Sequence, residues 1–185
     1  MDLIFITGNE GKLKEAREIL GNHFQVANNG IDIEEIQEID GTKVVIKKAQ
    51  DAFNIIRQPL IVEDTSLYIV SWRGLPGALI RWFLKTVDNE GILEMLKGVK
   101  NRKAIAQTAI AYHDGKNIRI FESTINGSIS DKAVGTNGFG WDKIFIPDGS
   151  AKTQAEMTSE EKNKISSRKK AFEKLRDYLL KVQNE

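Results

Sequence analysis

The chain has 185 residues, of which 41% are hydrophobic and 29% are charged, and its formal net charge is +1 at pH 7. That length is typical of one domain with a sizeable core, and the near-neutral charge gives no general attraction to nucleic acid or an anionic membrane, so a phosphate needs a local cluster of charges. The absence of cysteine excludes disulfides, thiol catalysis and cysteine-bound zinc.

The first predicted elements are a buried strand over residues 3–6, a turn over 7–12 and a helix that begins near Lys12. Free backbone N–H groups at such a helix start can bind an anion, and the lysine adds a positive charge. The spacing differs from that of a Walker A loop, because Leu13 stands where a Ser or Thr should follow the lysine. Two interpretations stay open: the turn holds a phosphate, or Asn9 only caps the helix.

A strand over 24–27, an acidic irregular segment over 32–40 and a helix over 42–56 are predicted next. Residues 60–62 are typical of a buried strand, which predicts that Glu63 and Asp64 lie at its C-terminal end. Ligands bind at that edge of open α/β sheets, and paired acids there suit a divalent cation and the activation of water. A solvated turn after the strand is the alternative.

The rest of the chain predicts a mixed sheet with helices on its faces, within a single domain over 1–185. The predicted elements are a loop over 72–77, helices over 78–87 and 91–96, hairpin strands over 104–112 and 118–129, a glycine-rich loop over 135–140, a strand over 143–146 and a helix over 159–182.

Arg168 falls inside the apolar stripe of the last predicted helix. It either meets a buried carboxylate, extends its guanidinium past the stripe, or faces a cleft in which a ligand completes its hydrogen bonds. Lys162 and Ser166, one helical turn apart, would line the same wall. The segment 139–142 offers aromatic rings, a glycine and an acid, which fit a nucleobase pocket, although such rings also pack into cores.

Five motifs that follow one another from about residue 3 to about residue 180 together resemble the inosine triphosphate pyrophosphatase family, also called Ham1-like. They are Thr7-Gly8-Asn9 with Lys12, Val62-Glu63-Asp64-Thr65, Gly74-Leu75-Pro76-Gly77 with Trp82-Phe83, Phe139-Gly140-Trp141-Asp142, and Ala155-Glu156-Met157 with Glu161-Lys162-Asn163 and Ser166-Ser167-Arg168.

The resemblance implies an elongated two-lobed α/β fold with a long central mixed sheet flanked by helices, a cleft between the lobes, and a homodimer. It also implies Mg²⁺-dependent hydrolysis of ITP, dITP and XTP to the monophosphate and pyrophosphate. A purine keto oxygen would accept hydrogen bonds from Arg168 or Lys162, whereas the amino group of adenine would leave both cations unpaired.

The resemblance assigns roles to individual residues. Those implied to hold the phosphate chain are Thr7, Gly8, Asn9, Lys12, Lys48 and Arg81. The implied metal ligands are Glu35, Glu63 and Asp64; Asp64, next to Thr65 in the substrate site, is also implied to activate the attacking water. The positions implied to enclose the purine are Phe139, Gly140, Trp141, Asp142, Lys162, Ser166, Ser167 and Arg168. The chain departs from the family at Ser167, where many relatives have histidine, and at Gln154, where an aromatic residue is common.

Two rival hypotheses remain. A nucleic-acid-binding module would use the lysine-rich end over 162–181, but acidic residues are interspersed there. A Maf-type pyrophosphatase would act on modified pyrimidine nucleotides. No signal peptide or membrane-spanning run is evident, so we expect a cytoplasmic protein with no nucleic-acid or membrane partner.

Overall fold

The computed structural model describes residues 2–21 and 23–183. Its strands are β1 (Asp2–Ile6), β2 (Gln25–Asn28), β3 (Leu60–Ile69), β4 (Pro76–Gly77), β5 (Lys103–His113), β6 (Ile118–Ile129) and β7 (Phe145–Pro147). They form one seven-stranded sheet in the order β2-β1-β3-β5-β6-β7, with β4 paired to β3. The β1 strand is parallel to β2 and β3, and the other pairings are antiparallel, so the sheet is mixed as predicted.

Six α-helices are found in the described residues. They are α1 (Glu10–Leu20), α2 (Gly41–Ile56), α3 (Ile80–Thr86), α4 (Asp88–Met95), α5 (Ser159–Ile165) and α6 (Ser167–Gln183). Short 3₁₀ turns cover Val70–Trp72, Gly140–Lys143 and Gln154–Glu156. Among residues 2–21 and 23–183, no helix combines the length and the apolar character that crossing a membrane requires.

The apolar core lies in two lobes that share the three long strands β3, β5 and β6. In the first lobe, α1 and α6 pack on one face of the sheet through residues such as Leu13 and Phe172, and α2 packs on the other face through Val45 and Ala49. In the second lobe, α3 and α4 cover the far ends of the same strands. The predicted α/β class, with helices on both sides of a long mixed sheet, is confirmed. The predicted single domain extends to residues 1, 22, 184 and 185, which lie outside the described residues.

Two local predictions are wrong. The acids Glu63 and Asp64 lie in the middle of β3 and not at its end, because apolar residues resume at Leu67 and pair with β5 as far as Ile69. The single helix over 159–182 is two helices. The break falls at Ser166, which has extended backbone angles and accepts a hydrogen bond from the Lys169 backbone N–H at 3.2 Å, as a cap at the start of α6.

The remaining differences concern boundaries. The helices predicted over 78–87 and 91–96 begin and end at other residues, α3 being shorter and α4 starting three residues earlier. The strand predicted over 143–146 starts later, because the 3₁₀ turn occupies Gly140–Lys143. The predicted loop over 72–77 contains the two-residue strand β4.

Candidate active site

A cleft of about 760 Å³ separates the two lobes and collects the first group of predicted site residues. They are Thr7, Gly8, Asn9, Lys12, Glu35, Lys48, Glu63, Asp64, Thr65, Arg81, Phe139, Gly140 and Trp141. A smaller pocket, here called the aromatic pocket, adjoins the cleft. Four residues line both and form the mouth between them: Thr65, Phe139, Gly140 and Trp141. Its inner wall carries the other predicted residues, which are Asp142, Lys162, Ser166, Ser167 and Arg168. The structure therefore brings all the predicted residues together.

The turn after β1 presents the start of α1 to the cleft. The Asn9 side chain accepts a hydrogen bond from the Lys12 backbone N–H at 3.1 Å, and the Asn9 N–H donates to Thr7 Oγ1 at 3.1 Å. The capping role of Asn9 is thus present, while a phosphate-binding role stays a prediction. Because the cap uses one of the free N–H groups of the first turn, others remain to meet an anion in the cleft.

Asp64 and Glu63 point to opposite faces of the sheet, since neighbouring residues of a strand alternate. The Ser66 hydroxyl donates to Asp64 Oδ2 at 3.1 Å, and the start of α2 lies so close that a Cβ on Gly41 would be 3.2 Å from the same oxygen. Burial raises the pKa of Asp64 to about 6, with Lys12 opposing the shift and the negative charge of Glu35 adding to it. A carboxylate with that pKa is suited to accepting a proton near neutral pH.

Glu35 lies in the irregular segment before α2 and is held by two cations. Its carboxylate contacts Lys48 Nζ, and its second oxygen is 3.1 Å from Arg81 Nη1. Burial alone would raise the pKa of Glu35, but Lys48 and then Arg81 outweigh burial and lower it. Glu35 is therefore an ionised acid on the wall of the cleft that also contains Asp64.

Glu63 forms a buried ion pair with Arg168. This pair explains why an arginine lies in the apolar stripe of the last helix. Arg168 Nε donates to Glu63 Oε1 at 2.8 Å, and Lys12 Nζ lies 3.7 Å from the same oxygen. Burial would raise the pKa of Glu63, but Arg168 and Lys12 outweigh burial and lower it. Arg168 thus meets a buried carboxylate and also borders the aromatic pocket.

Glu15 is a site residue that the sequence prediction missed. Its carboxylate accepts from Arg168 Nη1 at 2.6 Å and lies 3.7 Å from Lys162 Nζ. The available signal was its position on α1, one turn after Lys12, which places both side chains on one side of the helix. Glu15 therefore fixes the two cations that were predicted to face a base.

The loop that carries the aromatic residues is held by Asp142. Its Oδ2 accepts from the Phe139 backbone N–H and from Lys162 Nζ, each at 2.8 Å. The Phe139 ring has Lys162 Nζ and Arg168 Cζ each 5.2 Å from its centroid, within the range of cation–π attraction. Asn89 of α4 was also missed; its Nδ2 donates to the Gly140 carbonyl at 3.0 Å.

The acids do not form one compact metal cluster. Within residues 2–21 and 23–183, no group of three or more His, Asp or Glu side chains is arranged to hold a metal ion. All three acids implied as metal ligands line the cleft. Glu35 is paired with Lys48 and Arg81, and Glu63 Oε1 with Arg168 and Lys12, while Glu63 Oε2 is buried without a hydrogen-bond partner among the described residues.

The comparisons with known proteins agree with this fold. The chain belongs to the Ham1 family, whose model matches residues 3–178. It is 41% identical to the inosine triphosphate pyrophosphatase of Kluyveromyces lactis over 186 residues, or 96% of this chain and 95% of that protein. It is 38% identical to the dITP/XTP pyrophosphatase of Saccharolobus solfataricus, over 94% of this chain and 91% of that one. The solved structure of a HAM1 protein from Coxiella burnetii, 26% identical, matches with a TM-score of 0.88 over 98% of this chain and 99% of the other.

Proposed function

We propose that this protein hydrolyses the triphosphates of inosine, deoxyinosine and xanthosine to the monophosphate and pyrophosphate, and so removes these bases from the nucleotide pool. The observation that carries the proposal is the continuity of the cleft with the aromatic pocket. A nucleotide that spans both has its base among aromatic rings and its phosphates beside Lys12 and Asp64. The activities for which the Kluyveromyces and Saccharolobus relatives are named support the same reaction.

The phosphate chain binds at the start of α1. The N–H groups of that turn and the side chains of Thr7 and Asn9 donate hydrogen bonds to phosphate oxygens. Lys12, Lys48 and Arg81 border the same cleft, and their charges offset the negative charge that grows on the leaving pyrophosphate.

Glu35 and Asp64 fit a magnesium ion that a nucleotide brings with it. Mg²⁺ sites commonly use one or two protein carboxylates together with substrate phosphates. The two acids line the same cleft, and they interact electrostatically, since the negative charge of Glu35 raises the pKa of Asp64. When bound, the ion supplies positive charge to the phosphates. Glu63 Oε1 holds Arg168 and Lys12, while its Oε2 has no hydrogen-bond partner among the described residues, so the role of third ligand that the resemblance implies stays a prediction.

Asp64 acts as the general base. Ser66 fixes its Oδ2, and within the described residues Oδ1 has no hydrogen-bond partner, so Oδ1 is available to a water molecule. The water oxygen attacks the α-phosphorus, its proton passes to Asp64, and the bond from the α-phosphorus to the bridging oxygen of pyrophosphate breaks.

The base is chosen by its hydrogen bonds in the aromatic pocket. Arg168 and Lys162 can donate to the keto oxygen at purine position 6, whereas adenine presents an amino donor there. A buried cation left without an acceptor costs enough free energy to reject adenine. The homodimer and the cytoplasmic location implied by the resemblance stay predictions.

A substrate panel tests the proposal. With Mg²⁺ and purified protein, we expect ITP, dITP and XTP to release pyrophosphate, and ATP to show a kcat/KM lower by about a thousandfold. Product identification by ³¹P NMR separates pyrophosphate from orthophosphate. Orthophosphate as the product, or faster turnover of pyrimidine triphosphates as the Maf-type alternative requires, would contradict the proposal. Salt-sensitive RNA or DNA binding without hydrolysis would favour the nucleic-acid-binding module.

Gly138 offers a test of the loop that holds the aromatic pocket. Its φ is +75°, and a Cβ there would lie 2.0 Å from Asp142 Oδ2, so Gly138→Ala must displace the carboxylate that orders Phe139 and Lys162. We expect a kcat/KM for ITP about 100-fold lower. Gly98→Ala is the matched control, since Gly98 has a φ of +77° with nothing within 4 Å of its Cβ position. Equal losses in the two variants would show that backbone strain alone is responsible.

A further inference from the structure

Gln154 is a largely buried residue whose carboxamide has no hydrogen-bond partner among the described residues. It begins the 3₁₀ turn Gln154–Glu156, is only 5% exposed, and borders the aromatic pocket. Its carboxamide makes no hydrogen bond to any side chain or backbone group in residues 2–21 and 23–183. The fully buried side-chain atoms without a partner among the described residues are Glu63 Oε2 and Asn89 Oδ1, so the amide atoms of Gln154 keep some access to the pocket that this residue lines. They offer two N–H donors and one oxygen acceptor to a ligand there.

The other polar side chains of the inner wall are already engaged. Thr108 and Ser167 share a hydrogen bond of 2.9 Å between their hydroxyls, and Ser166 Oγ accepts from a backbone N–H. Asp142 and Lys162 form an ion pair, and Gln107 bonds to neighbouring side chains. Of the inner-wall polar side chains that the structure describes, Gln154 alone lacks any partner, while Arg168 keeps only its Nη2 without one.

The way the pocket opens decides which part of a purine meets this wall. The pocket joins the cleft through the residues at its mouth, and the proposed function places the phosphates in the cleft. The sugar, and the purine N9 to which it is attached, then lie at the mouth. The opposite edge of the purine, formed by positions 6, 1 and 2, faces the inner wall. With position 6 directed at Arg168, positions 1 and 2 are left for Gln154.

We propose that Gln154 reads the N1–C2 edge of the base and makes xanthine the preferred purine, an inference that rests on the proposed function. Xanthine presents an N1–H donor and a C2 keto acceptor side by side, and the carboxamide satisfies both by accepting at Oε1 and donating from Nε2. Hypoxanthine has only hydrogen at C2 and leaves the Nε2 group unpaired. Guanine has an amino group at C2, which opposes Nε2 with a second donor. The order of kcat/KM is therefore XTP, then ITP, then GTP.

Two variants test this assignment on the intact protein with XTP, ITP and GTP as probes. Gln154→Met keeps the length of the side chain and removes its polar atoms, so the ratio of kcat/KM for XTP to that for ITP falls about five- to tenfold. Gln25→Met is the matched control, because Gln25 is exposed on the edge strand β2 and borders neither the cleft nor the aromatic pocket. The control leaves the ratio unchanged.

Gln154→Glu reverses the preference at position 2. A carboxylate only accepts hydrogen bonds, so it pairs with both N1–H and the amino group of guanine and repels the C2 keto oxygen of xanthine. The ratio of kcat/KM for GTP to that for XTP rises about tenfold or more. Because a loss of XTP turnover alone would also raise that ratio, kcat/KM for GTP is compared with that for ITP as well. A residue that only filled space would not raise the GTP to ITP ratio in Gln154→Glu.

The outcomes separate this inference from the function on which it rests. Pyrophosphate release from XTP and ITP by the unaltered protein, with an XTP to ITP ratio in Gln154→Met within twofold of the unaltered value, overturns the role of Gln154 alone. Absence of turnover of every triphosphate by the unaltered protein overturns the proposed function as well. Circular dichroism confirms that both variants are folded, and ITP turnover supplies the internal reference for each.

Discussion

Replacing Asp64 by asparagine is expected to lower kcat for ITP by about 10³-fold or more, because asparagine cannot accept the proton of the attacking water. The amide keeps the size of the side chain and can still accept the hydrogen bond from Ser66. Asp131→Asn is the matched control, since the side chain of Asp131 is 93% exposed at the surface. Turnover by Asp64→Asn within tenfold of the unaltered enzyme would remove Asp64 from the chemistry.

The same variant should be at least as stable as the unaltered protein when a chelator removes metal. Burial raises the folded pKa of Asp64 to about 6, from 3.8, so protonated Asp64 favours the folded state and that contribution is lost as pH rises through 6. Ionised Asp64 therefore lowers the free energy of unfolding by about 1–3 kcal/mol at pH 8. The lower end of that range applies because solvent in the cleft screens the carboxylate. Asp64→Asn should raise Tm by a few degrees at pH 8 and leave it unchanged near pH 4, as measured by calorimetry.

Replacing Arg168 by methionine is expected to destabilise the fold by about 3–5 kcal/mol at pH 8, because Glu63 is then a buried charge without its main partner. Without Arg168, burial would raise the pKa of Glu63, so that Glu63 is protonated and neutral in a larger fraction of molecules at pH 5 than at pH 8. The loss should therefore be smaller at pH 5 than at pH 8. Denaturant unfolding at both pH values measures the difference, and ITP turnover should also fall.

Two further variants control for the size of the change. Arg176→Met is the first, because Arg176 lies on the same helix and its ion pair with the exposed Asp177 contributes less than about 1 kcal/mol to stability. Adding Glu63→Gln to Arg168→Met should recover part of the lost stability, because it removes the stranded charge. A loss in Arg168→Met no larger than that in Arg176→Met would show that the buried pair contributes little.

The elements with clear periodicity were predictable from the chain alone. The hairpin of β5 and β6 follows from alternating apolar residues around an Asp-Gly turn, and α2 follows from its apolar spacing. The apolar run over 60–62, followed by polar residues, predicts a strand that ends before Glu63, yet β3 continues to Ile69. The strand continues through its polar residues because their backbone groups form hydrogen bonds with β5. The local sequence of β3 does not reveal that pairing.

The site residues fall into the same two groups: those that local motifs reveal and those whose roles depend on partners far away in the chain. The helix start at Lys12 and the aromatic segment near Trp141 are local motifs, and the structure brings them to one cleft. Glu15 and Asn89 were missed because their roles depend on partners more than 50 residues away, Arg168 and the Gly140 carbonyl. Side-chain spacing reveals which face of a helix a residue occupies, but not what that face meets.

The continuity of β3, β5 and β6 through both lobes restricts how the enzyme can admit its substrate. A rotation of one lobe relative to the other would have to bend or twist these paired strands together. The cleft is also lined by segments that lie outside the three long strands, namely α3 with Arg81 and the turn that carries Phe139 and Trp141. The part of the cleft wall formed by β3 is therefore tied to both lobes at once.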